Sequence, residues 1–413
     1  MQTIHICIIS AHLEPNIIPL LQLQPNIAIL VTSEEMQSQT DVLTDILKQY
    51  APNITVEVKN KLPTTKIAEI EDFALQLDAD ITSRYPKAQC IYNATGGTKP
   101  MAIIFGQIFS SHILYTNTGD NQIQWLAPST SQTAPITTES VLTPEIYLLA
   151  NGKRLRQAQS KDQHWVSKVT ARGPLTSWLA ANMDKSLGNF IGSLNYLIRD
   201  DANGNAVLKN QGRRTGDVFR VENAKRKMEN HPNERIQKCL RKMEECRLIL
   251  WDSEEPYDIS FQNKDACIYL SGGWLEEYAW LMATNAGCEE VLCSAQITDE
   301  HAPKLDIRNE IDCLLVHNNR MLIIECKTKS FGRKDQSDSD TLSKLDSITQ
   351  HSSGTFGTGL LLSARRFGNK NTLETNISRA ESLNIPILAA AELKNLPVTI
   401  RHWMSTGHVK QGS

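Results

Sequence analysis

The sequence lacks the features that would place the protein in a membrane or outside the cell. Its first ten residues, MQTIHICIIS, contain no lysine or arginine, whereas a secretory signal begins with a positively charged segment. The most apolar long segment, residues 101–115, is interrupted by Gln107, Ser110 and His112. It is too short and too polar to span a bilayer. We therefore expect a cytoplasmic protein.

The cysteines lack any recognisable spacing. There are 9 of them, an odd number, and no two form a C-x-x-C pair. This pattern excludes a disulfide framework and argues against a structural zinc site. We expect reduced thiols that serve mainly as small buried residues.

The chain is too long for one ordinary core, because 413 residues normally divide into two or three domains. Its net charge of −3 hides an asymmetry. Residues 1–150 have a net charge of −7, and residues 151–413 have a net charge of +4. Residues 209–247 hold 12 basic and 6 acidic residues. This basic segment suggests a polyanion partner, although a solvated helix face would have the same composition.

The order of elements predicts α/β domains at both ends of the chain. Short β-rich runs at residues 4–9, 27–31 and 89–92 alternate with helical patterns at 41–50, 65–77 and from about Lys99. This alternation indicates a doubly wound parallel sheet. Residues 113–116 and 123–126 are predicted to add a hairpin, and a helix-like segment at 143–156 leaves the domain.

The rest of the chain divides into a middle segment and a C-terminal domain. Residues 165–247 are predicted to be mostly helical, and RLILWD and ACIYL (266–270) to form a short β ribbon, which together suggest a winged-helix-like module. A helix at 273–285, a hairpin, and strands in TGLLLS and IPILAAAEL follow. The predicted domains are therefore residues 1–148, 149–262 and 263–413.

The predicted hairpin at residues 311–327, IDCLLVHNNRMLIIECK, carries charges that a buried hairpin should not have. Asn318 and Asn319 suit a two-residue turn, because Asn tolerates positive φ. A hairpin centred there places Asp312 opposite Glu325 and Glu310 opposite Lys327, all on one face. Carboxylates that face each other repel and favour a cation between them.

Two carboxylates and a lysine at this spacing suit metal-assisted cleavage of a phosphodiester. Carboxylates hold Mg²⁺ or Mn²⁺, which neutralises charge and activates water, and Lys327 can hold the water or a phosphate oxygen. A third carboxylate is offered by SGGWLEEYAW (271–280), where Glu276 and Glu277 open a helix. The sequence leaves open which of the two points inward, and Glu310 is a candidate salt-bridge partner of Lys327.

A second candidate site lies in YNATGGTKPMA (92–102), which follows a strand and opens a helix. Two glycines let the backbone approach a ligand, and free N–H groups at the helix start favour phosphate. The segment matches neither G-x-x-x-x-G-K-[ST] nor G-x-G-x-x-G, so neither ATP hydrolysis nor NAD binding is indicated.

Both motifs resemble known families. Glu276 in a G-x-W-L-E helix, followed by Asp312 and Glu325-x-Lys327, resembles the PD-(D/E)xK restriction-endonuclease fold. The segment 92–102 and the N-terminal pattern resemble the CARF domain, a Rossmann-like sensor of cyclic oligoadenylates. The combination, in this order, resembles the CARF–nuclease effectors of type III CRISPR systems and covers nearly the whole chain.

The resemblance implies a homodimer whose paired CARF domains bind a ring, most often cyclic tetra-adenylate, and a nuclease that needs Mn²⁺ or Mg²⁺. It implies that Glu276, Asp312, Glu325 and Lys327 form the catalytic set, with the three carboxylates as metal ligands. The ring is expected to contact the loops after three strands: Ser10, Ala11, His12, Thr32, Asn93, Thr95, Gly96, Gly97, Thr98 and Lys99.

The basic segment is expected to hold a DNA or RNA backbone through Lys209, Arg213, Arg214, Lys225 and Arg226. Two alternatives stay open: a ring-responsive DNA-binding regulator whose nuclease domain is silent, and an enzyme that cleaves the ring near Ser10 and Lys99.

Overall fold

The computed structural model describes residues 1–128, 134–200, 204–211, 216–300, 308–328, 338–353, 357–365 and 373–409. Within them, no helix is long and apolar enough to cross a membrane.

The N-terminal domain is a seven-stranded sheet with helices on both faces. Its strands are β1 (Thr3–Ile8), β2 (Ile27–Val31), β3 (Thr55–Lys59), β4 (Gln89–Asn93), β5 (Ile113–Asn117), β6 (Gln122–Ala127) and β7 (Ile136–Thr137). Its helices are α1 (Glu14–Leu23), α2 (Gln37–Tyr50), α3 (Ile67–Arg84), α4 (Lys99–Ile108) and α5 (Pro144–Ala150). The strand order is β3-β2-β1-β4-β5-β6-β7, with β1 to β5 parallel and β6 and β7 antiparallel. The predicted doubly wound sheet and its appended hairpin are confirmed.

Each face of this sheet packs into a different core. Ile4, Ile6 and Ile8 of β1 belong to a core formed with α3 and α4. Cys7, on the opposite face, belongs to a core formed with α1 and α2. Alternate side chains of a strand point to opposite faces, so a run of apolar residues such as IHICII is what a strand buried on both faces requires.

The middle segment begins with a strand and continues with helices and short strands. Its elements are β8 (Lys153–Gln157), α6 (Gln163–Ala181), α7 (Lys185–Arg199), β9 (Leu208–Asn210), β10 (Asp217–Phe219), β11 (Lys225–Lys227), α8 (Glu234–Glu245), β12 (Ile249–Trp251) and β13 (Asp258–Phe261). The helix predicted at 143–156 is thus wrong in its second half, where Gly152 has a positive φ of 69° and the chain turns into β8.

Only part of the predicted winged-helix-like module is present in residues 216–261. β11, β13 and β12 form an antiparallel sheet in that order, but a single helix, α8, lies between β11 and β12, where a helix-turn-helix would need two. The ribbon prediction for ACIYL is wrong: Asn263 accepts a hydrogen bond from the backbone of Ala266 and starts helix α9 (Lys264–Ile268). The strand that pairs with β12 is β13.

The C-terminal domain is built on a six-stranded mixed sheet of order β18-β17-β16-β15-β14-β8. Its own strands are β14 (Glu290–Asp299), β15 (Arg308–His317), β16 (Arg320–Lys327), β17 (Gly357–Ser363) and β18 (Ile387–Ala389). Its remaining helices are α10 (Trp274–Asn285), α11 (Asp338–Ser353), α12 (Leu373–Ser382) and α13 (Leu396–Thr406). The edge strand β8 comes from the middle segment and pairs with β14.

The N-terminal and C-terminal domains share a core. The apolar cluster that contains Cys7 and Leu43 of the N-terminal domain also contains Leu314, Ile323 and Leu361 of the C-terminal sheet. The opposite face of the C-terminal sheet packs against the middle segment in another cluster, which includes Leu360 and Leu362. The C-terminal sheet therefore lies between the other two parts of the chain.

Candidate nuclease and ligand sites

Strands β15 and β16 form the predicted hairpin in the predicted register. Asn318 and Asn319 have φ values of 48° and 57°, as a turn of this type requires. The ladder runs from His317 opposite Arg320 to Cys313 opposite Ile324. Beyond it, Asp312 Oδ2 accepts a hydrogen bond from the backbone N–H of Cys326 at 2.7 Å. This bond holds the Asp312 carboxylate beside Glu325 and Lys327.

Helix α10 brings Glu276 to the same end of the hairpin. Oε2 of Glu276 accepts a hydrogen bond from the hydroxyl of Ser294 at 3.0 Å. Ser294 has a positive φ of 49° and interrupts the ladder opposite Asp312, between the pairs Cys293–Cys313 and Ala295–Ile311. The register is the same on both sides of Ser294, so the ladder is interrupted without an inserted residue, and the hydroxyl reaches Glu276. Sequence reasoning missed Ser294; its signal was a single serine within the apolar run VLCSA.

The two glycines before α10 allow it to approach the end of β16. Gly272 has a φ of 149° within a π-helical turn, Tyr269–Gly273. A Cβ atom at this position would lie 2.8 Å from Oγ1 of Thr328, the residue after Lys327. A side chain here would push α10 away from the site, which gives a physical reason for glycine in SGGWLEE.

Ion pairing distinguishes Glu276 from Glu277. Glu277 Oε2 accepts a hydrogen bond from Arg172 Nε at 2.7 Å, and its other oxygen pairs with Nη2 of the same guanidinium. Both side chains are buried, so Glu277 joins α10 to α6. Glu276 is the glutamate that faces Asp312 and Glu325.

Two carboxyl groups of the site, those of Glu276 and Asp312, resist ionisation. Burial, with the negative charges of Glu310 and Glu325 adding to it, raises the pKa of Glu276 to about 7, against a lowering contribution from the Ser294 hydrogen bond. Burial, together with Glu325 and Glu276, raises the pKa of Asp312 well above its usual value. Buried carboxylates that repel one another favour a cation among them.

Lys327 is one cation at this site. Its Nζ lies 2.6 Å from Oε1 of Glu325, and Nζ of Lys344 on α11 lies 3.7 Å from the same oxygen. Burial works against the charge of Lys327, but the attraction of Glu325 outweighs it and raises the pKa of the amine. The salt bridge proposed between Lys327 and Glu310 is wrong: among the described residues, the ion-pair partner of Lys327 is Glu325.

The donors suit a hard divalent cation. Glu276, Asp312 and Glu325 supply only carboxylate oxygens, which Mg²⁺ and Mn²⁺ prefer. Burial and the neighbouring carboxylates raise the pKa values of Glu276 and Asp312, and a bound cation would oppose both effects. Among the residues that the structure describes, however, no three His, Cys, Asp or Glu side chains form a ready-made metal site. The chemistry fits a metal, although the carboxylates are not already gathered around one point.

The second candidate site lies where the strand order of the N-terminal sheet reverses, between β1 and β4. Ligands of doubly wound sheets bind at the carboxyl ends of strands at such a point. The loops after β1 and β4 both begin there. Gly96 lies directly on the end of β1, since a Cβ atom on it would be 2.0 Å from the carbonyl oxygen of Ile8. Gly97 adopts a φ of 81°.

The side chain of Asn93, the last residue of β4, holds this loop in place by hydrogen bonds. Its side chain is fully buried. The side-chain amide nitrogen donates to Asn16 Oδ1 at 2.8 Å and to the carbonyl oxygen of Pro15 at 3.1 Å. Its side-chain oxygen accepts from both the backbone and the hydroxyl of Thr95, at 3.1 and 2.6 Å. Asn93 therefore holds the loops after β1 and β4 together.

The other residues predicted to bind the ring differ in exposure. Ala11, His12, Gly97, Thr98 and Lys99 are exposed, and Ser10 and Thr95 are half-buried. Thr32 is fully buried and donates its hydroxyl to the carbonyl oxygen of Ser33 at 3.0 Å, so it shapes the loop after β2.

Family comparison assigns both ends of the chain. Residues 4–147 match the family model of the Card1 CARF domain, and residues 263–407 match that of the Card1-like endonuclease domain. The chain therefore combines a Card1-type CARF domain with a Card1-like endonuclease domain.

Solved structures share this fold along the whole chain. Protein VC1899 from Vibrio cholerae is 19% identical, with 99% of each chain covered and a TM-score of 0.80. Can2 from Sulfobacillus thermosulfidooxidans, solved in complex with cyclic tetra-adenylate, is 19% identical, with 98% of this chain and 97% of that chain covered and a TM-score of 0.70. No curated protein sequence matches significantly.

The residues predicted to bind nucleic acid differ in their exposure and in their hydrogen-bond partners. Lys225 pairs with Asp258 at 3.0 Å, and its side chain is 68% exposed. Arg226 donates to the carbonyl oxygen of Asn205 at 2.7 Å, and Lys209 lies on the short strand β9. Arg213 and Arg214 lie outside the described residues. Lys227, which was not predicted, is 81% exposed beside Asp258.

Proposed function

We propose that this CARF endonuclease is activated by a cyclic oligoadenylate and cleaves nucleic acid with a divalent metal, as part of type III CRISPR defence in the cytoplasm. The observation that carries the proposal is the convergence of Glu276, Asp312, Glu325 and Lys327 at one end of a sheet, in a chain that begins with a CARF domain. The free thiols of all nine cysteines suit a reducing compartment.

In this mechanism Glu276, Asp312 and Glu325 would hold Mg²⁺ or Mn²⁺. Such a metal would supply positive charge against the phosphate and would make the attacking water easier to deprotonate. Lys327 would leave its pairing with Glu325 and hold a phosphate oxygen or the attacking water. Ser294 orients Glu276, and the Cys326 backbone N–H orients Asp312.

The activating ligand would be cyclic tetra-adenylate, bound by the loops that hold Ser10, Thr95 and Lys99. Can2, which has the same fold, was solved with that ring. Exposed backbone at Gly97 and the amine of Lys99, at the start of α4, would meet its phosphates. A ring of this symmetry would sit between two copies of the CARF domain. Ile103, which is 61% exposed one turn further along α4, would be covered in that homodimer.

The substrate would be DNA or RNA, and the basic segment at 209–247 would bind its backbone. Exposed lysines such as Lys225 and Lys227 on β11 suit phosphate contacts. Affinity should fall steeply as salt rises, because bound counterions are released when phosphates are neutralised.

A cleavage assay tests the proposal. Purified protein is incubated with supercoiled plasmid, single-stranded DNA or RNA, with Mn²⁺ or Mg²⁺, and with or without cyclic tetra-adenylate. We expect cleavage to require the metal, and we expect the ring to raise the rate from a low basal level. Glu325→Gln should reduce the rate about a hundredfold or more, because several kcal/mol of charge stabilisation are lost.

Glu310→Gln is the matched control. Glu310 is an exposed carboxylate two residues before Asp312 on the same strand, and its removal should change the rate less than about tenfold, since a partly solvated charge has a small effect. Tight ring binding without cleavage of any substrate would favour a ligand-responsive regulator. Disappearance of the ring over time would instead favour a ring-cleaving enzyme.

A further inference from the structure

The hairpin that carries the nuclease residues is bound at its other end by the N-terminal part of the chain. Asn319, in the turn between β15 and β16, is buried. Its side-chain oxygen accepts from the backbone N–H groups of Val141 and Leu142 at 2.9 and 3.0 Å, and its amide donates to the carbonyl oxygen of Glu139 at 2.6 Å. One turn residue thus makes three hydrogen bonds to the segment between β7 and α5 of the N-terminal domain.

The next residue, Arg320, contacts a loop of the CARF domain. Its Nη2 donates to the carbonyl oxygen of Gly119 at 2.6 Å. Gly119 lies in the connection between β5 and β6. The contact therefore joins the first residue of β16 to a loop of the CARF domain, about two hundred residues away in sequence.

Hydrogen bonds continue from Gly119 to the loop proposed to bind the ring. The Thr95 hydroxyl accepts from the backbone N–H of Thr116 at 2.8 Å, and Thr116 precedes Gly119 by three residues. Asn117 bonds both the backbone and the carboxylate of Asp120, at 3.2 and 2.8 Å, and so closes the turn that presents Gly119. Asn93 in turn holds Thr95. Contiguous bonded groups thus connect the loop after β4 to Arg320.

We propose that the β15–β16 hairpin is the coupling element between the two sites: the CARF domain acts on Asp312, Glu325 and Lys327 through its contacts with Asn319 and Arg320. This inference rests on the proposed function, because it describes how ring binding reaches the nuclease site. A ring that moves the loop after β4 displaces Thr116 and Gly119, and the hairpin turn follows.

The hairpin is suited to transmit such a shift. Residues along both of its faces are buried, and β14 and β17 flank it, so packed neighbours prevent it from absorbing the movement by bending. At the contact with the CARF domain, some buried polar atoms lack hydrogen-bond partners. Among the described residues, neither Nη1 of Arg320 nor the hydroxyl of Tyr147 has a hydrogen-bond partner, although both are buried. Buried polar groups without partners raise the free energy of this arrangement. The free-energy difference to a second arrangement of the contact is therefore smaller.

The chain offers matched variants for a test. Asn319→Gly removes the three hydrogen bonds and keeps a residue that tolerates the positive φ. Asn318→Gly makes the same change one residue earlier, where the side chain makes no hydrogen bond within the described residues. Arg320→Gln removes the contact with Gly119 independently. The measured quantity is the activation ratio, which is the cleavage rate with cyclic tetra-adenylate divided by the rate without it.

We expect Asn319→Gly and Arg320→Gln each to lower the activation ratio about fivefold or more, the lower end of typical coupling between sites, while Asn318→Gly keeps the wild-type ratio. Calorimetry with the ring and a thermal melt verify that each variant binds and folds; if one variant does not fold, the other decides. Wild-type ratios in both variants, or an equal loss in Asn318→Gly, would overturn the coupling role and leave the proposed function intact. A wild-type protein that the ring does not activate would overturn the proposed function itself.

Discussion

At the scale of single residues, adjacent identical side chains have different environments. Glu276 and Glu277 follow each other on α10, yet one faces the carboxylates of the hairpin and the other pairs with Arg172. The sequence did not distinguish them, because the difference depends on which neighbour supplies a cation. That neighbour is on α6, more than a hundred residues earlier.

His5 should make the stability of the protein depend on pH. It is buried in β1, and burial lowers its pKa from 6.5 to about 4. Between these values the unfolded chain binds a proton that the native chain does not, so stability falls as pH falls through this window. His5→Leu should therefore reduce the loss of unfolding free energy between pH 7 and pH 5 by about 2 kcal/mol. Urea unfolding at both pH values measures this, and an unchanged difference would contradict it.

At the scale of elements, the sequence predicts the hairpin better than its surroundings. The register of β15 and β16 follows from two Asn residues that accept positive φ and from the alternation of side chains between the two faces of each strand. Both are local properties. Strand β14 was missed, although it lies beside the hairpin and carries Ser294. Its irregularity at Ser294 depends on contacts with α10 and β15, which no local pattern reveals. ACIYL was misread as a strand because a short apolar run fits either a strand or a buried helix.

Helix α10 should depend on the ion pair between Arg172 and Glu277. Arg172 also donates to Asp265 at 2.7 Å, so it joins three elements. Arg172→Met would leave Glu277 buried without its partner and should destabilise the protein by about 3–5 kcal/mol. Urea denaturation measures this loss. The double variant Arg172→Met, Glu277→Leu should recover much of it, because an apolar pair of similar volume needs no desolvation of charge. A double variant no more stable than Arg172→Met would contradict this account.

At the scale of the whole molecule, the main feature that the sequence did not predict is the shared core. The pattern of apolar residues indicates that each sheet is buried on both faces, but it does not say what covers each face. One face of the C-terminal sheet meets the CARF domain, and the other meets the middle segment. The predicted boundary at residue 148 separates β8 from the CARF domain, and β8 then completes the nuclease sheet. The parts are therefore joined by packing as well as by sequence.

Leu360 and Leu361 allow this shared core to be tested. They are adjacent on β17 and both fully buried, but Leu361 packs in the cluster that contains Cys7, whereas Leu360 packs toward the middle segment. Replacing either by Ala should cost about 2–5 kcal/mol. Only Leu361→Ala leaves a cavity in the core that the CARF domain shares, so it should expose Cys7 to thiol labelling faster than Leu360→Ala does. Pulsed labelling with mass spectrometry measures the Cys7 rate directly, and equal rates in the two variants would mean that the domains open independently of this face.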